Sequence, residues 1–372
     1  MADRLTKAEI SLANFSENFL QVKKLVGKHV AIMAIVKANA YGHGAVPIAK
    51  QAIKLGASYL GVSCLFEARE LREAGILSPI LLLGYTDKSS VASAVELGLT
   101  INVMDKDILQ EVLGLVKKRK NRVSVHVKVD TGMHRIGVSA DLAVNFIQEV
   151  SRYKHVYLEG IYTHFAAADA LDLSFTKLQL EKFQSIISRL TLLGIKPPFM
   201  HAANSAAILY FPKSHLTMVR PGKILYGPLP NAEDIKAPFI AKPVMSLKTI
   251  ISQTRVIKKG ESVGYGREFI ADRLTRVGAI PVGYADGFRR SPSFGEVLVR
   301  GRRARLIGRV SMDQSSIDIT HIPDVRTGDE VVIIGKQGKE EITTEDVARK
   351  LGTINYDVLT SITRRVTRVY KE

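Results

Sequence analysis

The stretch VAIMAIVKANAYGHG, residues 30–44, governs the reading of the chain. Its first seven residues are apolar without alternation, the pattern of a strand buried on both faces, as in a parallel sheet. Lys37 ends the run and opens a loop of small residues, one tyrosine and two glycines. Seven further runs of the same kind follow: Tyr59 to Cys64, Ile80 to Leu83, Thr100 to Val103, Val123 to Val129, Leu158 to Thr163, Phe199 to His201 and Leu216 to Val219. Between them lie segments of helical period, at Ala45 to Leu55, Phe66 to Ala74, Asp105 to Lys118, Asp141 to Tyr153, Ser174 to Leu193 and Ser205 to Phe211. Eight strands paired with helices predict an α/β fold, a (β/α)8 barrel over residues 10–230, with functional groups at the strand C-terminal ends.

The texture changes near Leu229. PNAEDIKAPF, residues 230–239, is a turn-rich link, and short strands follow at Met245 to Ile257, Arg276 to Val282, Glu296 to Val299, Arg305 to Ile307, Ser316 to Ile319 and Val331 to Ile334. One helix is expected in this part, Thr344 to Leu351, opened by TTED with the spacing of a capping box. A mostly-β domain over residues 231–372, joined by residues 1–9, completes the organisation.

Composition narrows the class. At 372 residues, 46% apolar and 24% charged, the chain has the usage of a folded two-domain protein. Its one cysteine, Cys64, excludes an internal disulfide and leaves no thiol cluster for a metal, which fits a cytoplasmic setting. The opening MADRLTKAEI lacks a signal-peptide pattern, and no apolar run approaches the ~18 residues of a membrane span. The net charge of +17 is scattered, with only short runs such as Lys117 to Lys120 and Arg300 to Arg305, so no nucleic-acid partner is expected.

Polar groups cluster where the strands end. Lys37 closes the first; Lys128 and Arg135 lie in KVDTGMHR, His164 in YTHF, Asn204 and Ser205 in HAANS, Arg220 and Gly222 in VRPG. Taken singly, each has an ordinary reading: a surface lysine, a hydrogen-bonded core histidine, an ion-paired arginine, a helix cap. Taken together they place five strand ends at one mouth. There a desolvated lysine amine suits imine formation with an aldehyde, and Ser205 with the Gly222 amide suits an oxyanion.

These residues also resemble a family. VKANAYGHG, KVDTGMHRIG, GIYTHF, HAANSAA, VRPG, GYGR, GYADG, GRVSMDQ and INYDV stand in the order and approximate spacing of the alanine racemases, from Lys37 to Tyr356. The resemblance implies a cytoplasmic homodimeric enzyme that interconverts L- and D-alanine, supplying D-alanine for peptidoglycan. It implies that Lys37 holds pyridoxal 5'-phosphate as a Schiff base, with no metal. Tyr41, Ser205, Gly222 and Tyr356 match phosphate-binding positions, His164 and Asn204 belong to the cofactor's surroundings, and Arg220 faces the ring nitrogen. Lys37 and Tyr265 match the two bases, Tyr265 being supplied by the β domain of the other subunit. Because an ordinary phenol titrates near ~10, the resemblance also implies a hydrogen-bonded His164 and Arg220 linked to Tyr265. Arg135 and the Met312 backbone correspond to contacts with the substrate carboxylate. Lys128 matches a lysine carbamylated in some relatives, and Tyr284 and Asp313 match parts of the inter-subunit wall.

Departures are few: Lys223 where an apolar residue is usual, Ser311 where cysteine is frequent, and His134 in a variable slot. Competing readings are a racemase of serine or a basic amino acid, a barrel-type pyridoxal phosphate decarboxylase, and a single-barrel carrier of the cofactor. The decarboxylases set a carboxylate opposite the ring nitrogen where VRPG presents Arg220, and the carrier lacks a β domain.

Overall fold

In the computed structural model, which describes residues 4–116, 122–229 and 238–372, the apolar run at residues 30–36 forms the strand Ala31–Ile35. Met218–Val219 and Tyr59–Val62 flank it, both parallel. Ile80–Leu82 pairs with Tyr59–Val62, and a bridge from Leu81 to Thr100 leads on to Ile101–Val103. The series continues through Val123–Asp130, Val156–Tyr162 and Phe199–His201, again all parallel. It closes where the Thr217 amide donates to the Met200 carbonyl at 3.1 Å, just ahead of Met218–Val219. The eight expected strands thus make a closed parallel barrel.

The helices Ala45–Lys54, Leu65–Glu73, Lys106–Val116, Ala140–Ser151, Ser174–Leu192 and Ser205–Tyr210 fall on the expected segments. Their apolar faces explain them. In Lys106–Val116 the buried residues are Ile108, Leu109, Val112, Leu113 and Val116, a stripe of helical period. Leu12–Val26 and Lys88–Glu96 are helices that the sequence reading did not mark. The expected extension to Lys118, the basic run Lys117 to Lys120, residues 230–237 of the link and the domain junction at 230–231 lie outside the described residues.

The chain divides into two compact units, one of Ser16–Ala40 with Ala45–Lys242, the other of Met1–Phe15, Tyr41–Gly44 and Pro243–Glu372. In the second unit the strand Lys7–Ser11 lies between Met245–Ile250, antiparallel, and Thr367–Lys371, parallel. Pairing therefore carries the N-terminal segment of this unit past residue 9, where the sequence reading ended it. Tyr41–Gly44 joins the same unit because Arg368 Nε donates to the Gly42 carbonyl at 3.0 Å and the Tyr370 hydroxyl to the His43 carbonyl at 3.2 Å.

Two expectations for this β unit are corrected. Met245 to Ile257 is not one strand but two, Met245–Ile250 and Gln253–Ile257. Between them the Ile251 amide donates to Asp329 O and the Ser252 amide to Ala279 O, so the chain changes partners at that point. The helix Thr344–Leu351 is followed by a second, Asn355–Ser361, whose start carries no side-chain cap and hence no signal in the sequence. No helix among the described residues is long and apolar enough to cross a membrane.

The capping box is formed as expected. Thr343 Oγ1 accepts from the Asp346 amide at 3.1 Å, and Asp346 Oδ2 accepts from the Thr343 amide at 3.0 Å. Thr343→Ala should lower the free energy of unfolding by about 1 kcal/mol, read as an earlier urea midpoint at unchanged m value.

Candidate active site

Lys37 stands directly beyond the strand Ala31–Ile35, and the backbone turns sharply after it. Ala38, Asn39, Ala40 and Tyr41 have φ of 51°, 53°, 53° and 52°. Four successive non-glycine residues in the left-handed region are costly, at roughly 1–2 kcal/mol each, and persist only where the surroundings hold them. Glu67 does much of the holding. Its Oε1 accepts from the Ala38 amide and its Oε2 from the Ser63 amide, both at 2.6 Å. Asn39 Oδ1 accepts from the Ala45 amide at 2.8 Å, and the Ala40 amide donates to Val36 O at 2.9 Å. Burial, with the Arg135 charge added, pulls the Lys37 amine below the ordinary lysine value, Glu67 opposing. An amine so placed carries more of its neutral, nucleophilic form.

Arg220 is buried in the same barrel, and among the described residues its guanidinium is held by neutral acceptors alone. Nη1 donates to His201 Nδ1 at 2.8 Å; Nη2 donates to Thr163 O at 2.7 Å, Ala202 O at 3.0 Å and His164 Nδ1 at 3.2 Å. Its carbon lies 5.3 Å from the Tyr162 ring centre. Burial lowers its pKa to about 10, which leaves it charged at neutral pH. Burial, then the Arg220 charge, holds His164 well below the ordinary imidazole value. With Nδ1 accepting, the neutral His164 carries its proton on Nε2.

Ser205 lies where the expected oxyanion site should be. It is buried, and its Oγ accepts from the Gly222 amide at 3.0 Å and from the Ile224 amide at 3.5 Å. The hydroxyl proton remains to be donated, and one hydroxyl and two backbone amides converge there. Asn204 caps the helix Ser205–Tyr210, its Oδ1 accepting from the Ala207 amide at 3.0 Å. Its part is thus at least to fix the direction of the Ser205 segment.

Lys128 is buried at the end of Val123–Asp130 and donates to Ile136 O at 2.8 Å. Burial, then the Arg220 charge, lowers its pKa to about 8, Asp130 opposing and Arg135 assisting. Asp130 Oδ1 accepts the amides of Gly132, Met133 and His134, which shapes the turn that carries exposed Arg135. The charge of Arg135 acts on Lys37, Lys128 and His164 together.

In the β unit, Tyr41 meets Tyr356 edge-on with ring centres 6.2 Å apart, and burial pushes the Tyr41 phenol up to about 12, leaving it a neutral donor. Tyr265 sits in the short turn Tyr265–Arg267, flanked by Gly264 and Gly266, each with φ of 72°. It is 67% exposed, Met312 52% and Tyr284 40%. The backbone joins the last two: Tyr284 N donates to Ser311 O and Ala285 N to Met312 O, both at 3.1 Å. Gly283 permits this approach, since a Cβ there would lie 2.3 Å from the Ser311 and Met312 carbonyl oxygens. Asp313 is ion-paired with Arg365 at 2.5 Å, which also reaches Asp286 at 3.4 Å.

Three participants escaped the sequence reading. Glu67 had a signal, an acidic residue in the first turn of a helix directly after a strand. His201 lay inside a quoted motif at a strand end. The Ile224 amide had none, because a backbone group leaves no mark in side-chain pattern.

The lowered Lys128 value gives a signed prediction. Its folded pKa, about 8, lies below the unfolded lysine value, so the unfolded chain binds the extra proton between about pH 8 and ~10.4. The burial penalty is complete below that window and fades as pH rises through it. In buffer free of carbon dioxide, the unfolding free energy of the wild type relative to Lys128→Met should rise across this window, by at most about 1.4 kcal/mol per pH unit. A flat difference from pH 7 to 10 would refute the assignment.

Residues 10–230 match the family described as "Alanine racemase, N-terminal domain" and residues 244–370 that described as "Alanine racemase, C-terminal domain". A curated alanine racemase of Desulforamulus reducens is 44% identical over 365 residues, covering 98% of each chain. The solved alanine racemase of Clostridium difficile 630 is 37% identical, with a TM-score of 0.94 over 99% of this chain and 96% of that one. A histidine racemase from Leuconostoc mesenteroides superposes with a TM-score of 0.92 at 30% identity, covering 100% of this chain and 99% of that one. The same fold therefore accommodates more than one side chain.

Proposed function

The chain belongs to the alanine racemase family, and from that premise we propose how its own residues divide the work of interconverting L- and D-alanine. The family is pyridoxal phosphate-dependent, and the barrel residues fit that group. Lys37 would hold its aldehyde carbon. Ser205 with the Gly222 and Ile224 amides would hold the phosphate, joined by the Tyr41 and Tyr356 hydroxyls. Arg220 would donate to the ring nitrogen, with His164 and Asn204 beside it. When bound, the cofactor supplies an electron sink that acidifies the hydrogen on the substrate's Cα.

Racemisation requires a proton removed from one face of Cα and returned on the other, most simply by two bases. Lys37 is the first, and the observation that carries the proposal is its half-buried position past the end of the strand Ala31–Ile35, where desolvation and the Arg135 charge lower its proton affinity. Tyr265 is the second. It is two-thirds exposed on its own chain, whereas a base working beside a dry cofactor has to be covered. The cover we infer is the barrel of a second copy, so the working unit is a homodimer in which Tyr265 reaches the partner's Lys37 from the other side. The Nε2 proton of His164 suits the oxygen of that phenol. Arg220, whose pKa stays at about 10 even when buried, would keep its proton rather than pass it to a far less basic ring nitrogen, which would mute the electron sink and suppress side reactions such as transamination.

Arg135 and the Met312 amide would bind the substrate carboxylate, the guanidinium by its fork. Tyr284, Asp313 and Tyr356 would narrow the entrance in favour of a methyl side chain. A carbamate on Lys128 would turn a cation beside Arg135 into an anion able to orient it.

The direct test is chiral chromatography of alanine after incubation with protein and cofactor. L-Alanine should be turned over with a higher kcat/KM than L-serine or L-lysine, and the reverse order would overturn the substrate assignment. Borohydride should fix the pyridoxyl group on Lys37, and Lys37→Ala should lose the cofactor's visible absorption. Tyr265→Phe should keep that absorption yet lose turnover about 10²- to 10⁴-fold, chiefly from one enantiomer. Equal loss from both hands in a folded variant would argue against two bases.

A further inference from the structure

Below the mouth, the barrel holds a row of polar side chains whose proton placement has a direction. Arg220 Nη1 donates to His201 Nδ1 at 2.8 Å, and an arginine can only donate. The proton of neutral His201 therefore sits on Nε2, which lies 2.9 Å from His126 Nδ1. That nitrogen must accept in turn, so the His126 proton is on Nε2. This atom is buried, has no hydrogen-bond partner among the described residues, and lies 4.0 Å from Glu159 Oε2, just beyond bonding distance. Glu159 instead accepts from the Tyr59 hydroxyl at 2.5 Å, whose oxygen is 2.5 Å from Thr100 Oγ1.

Packing fixes the rings in this order. His201 stacks on Tyr162 at 4.7 Å with planes 5° apart. His126 lies against Tyr59 and Phe199, with ring centres at 5.6 and 6.2 Å. On its remaining side is Gly160, where a Cβ would come within 2.6 Å of the imidazole. Burial drives His126 down to about 3 and His201 well below the ordinary value, so both rings are neutral. Each then turns a lone pair toward Arg220, and the row ends on a carboxylate. That carboxylate lines an open cavity of about 730 Å³ with Tyr59, Thr100, Arg72 and Arg122, at the strand N-terminal ends.

We propose that His126 and Glu159 are positioning residues for the racemase reaction: the carboxylate near His126 Nε2 favours the same proton arrangement that Arg220 requires and so, through His201, supports the orientation of Arg220 from the barrel end opposite Lys37. Reversing the protons would set an N–H of His201 against an N–H of Arg220 and turn the guanidinium aside. The inference rests on reading Arg220 as the arginine that faces the cofactor ring.

The first test reads the protons directly. In holoenzyme labelled with 15N-histidine at pH 7, resonances assigned by single substitution should show His126 and His201 as neutral Nε2–H tautomers. An Nδ1–H tautomer or an imidazolium at either position overturns the proposal. The second test is kinetic and spectroscopic. Glu159→Leu should lower kcat about tenfold with KM for alanine within about twofold, and should shift the cofactor's absorption maximum. Glu159→Gln, whose amide oxygen still accepts, should keep at least about half of wild-type kcat. A folded Glu159→Leu with wild-type kcat and spectrum, or equal loss in the Leu and Gln variants, sinks the idea. Should Glu159→Leu not fold, Glu159→Ala, read by the same kcat, KM and absorption maximum, takes its place. Borohydride trapping separates the two readings: label on another lysine overturns the cofactor assignment, whereas reversed tautomers with label on Lys37 overturn only this inference.

Discussion

A guanidinium taken out of water without a carboxylate beside it is among the harder things to stabilise inside a protein. Arg220 is in that position, and much of the barrel mouth follows from it. Its four acceptors, two carbonyls and two imidazoles, come from the ends of two neighbouring strands, so the register of these strands and the place of the charge are one constraint. Because the arginine only donates, every group around it is compelled to accept. That is why His164 keeps a proton to offer elsewhere, and why the imidazoles beneath stay neutral.

The same charge shapes its surroundings at a distance. Arg220 and Arg135 together lower the proton affinity of Lys128, and Arg135 that of Lys37. A mouth crowded with cations attracts anions while loosening the protons on its own amines. The left-handed turn after Lys37 belongs to this economy. The strain stored in Ala38 to Tyr41 is held in part by Glu67, a carboxylate that also acts on Lys37 and opposes the loss of its charge.

Much of this was legible in the chain and some was not, for physical reasons. Strands buried on both faces read as unbroken apolar runs, so all eight barrel strands were visible, and the strand ends then gathered Lys37, Lys128, His164, Ser205 and Arg220 by topology alone. The break at Ile251 and Ser252 was hidden because it comes from a change of partners, Asp329 to Ala279, which local pattern does not record. The uncapped helix Asn355–Ser361 lacked a start signal for the same kind of reason. Glu67, His126 and Glu159 were ordinary letters until the fold set them against Ala38, His201 and Tyr59. The roles of Tyr265 and Met312 came from family likeness, since neither residue type nor spacing distinguishes an exposed tyrosine in a turn from any other.

The outward display of Tyr265 bears on how such an enzyme is silenced. On the two-base reading, half of the chemistry is worn on the outer surface of a folded chain and becomes useful only by association. Specific activity then falls on dilution more steeply than the amount of folded protein does. A compound that merely occupies the face around Tyr265, Tyr284 and Met312 would act as an inhibitor with no likeness to an amino acid, and extra substrate would not displace it.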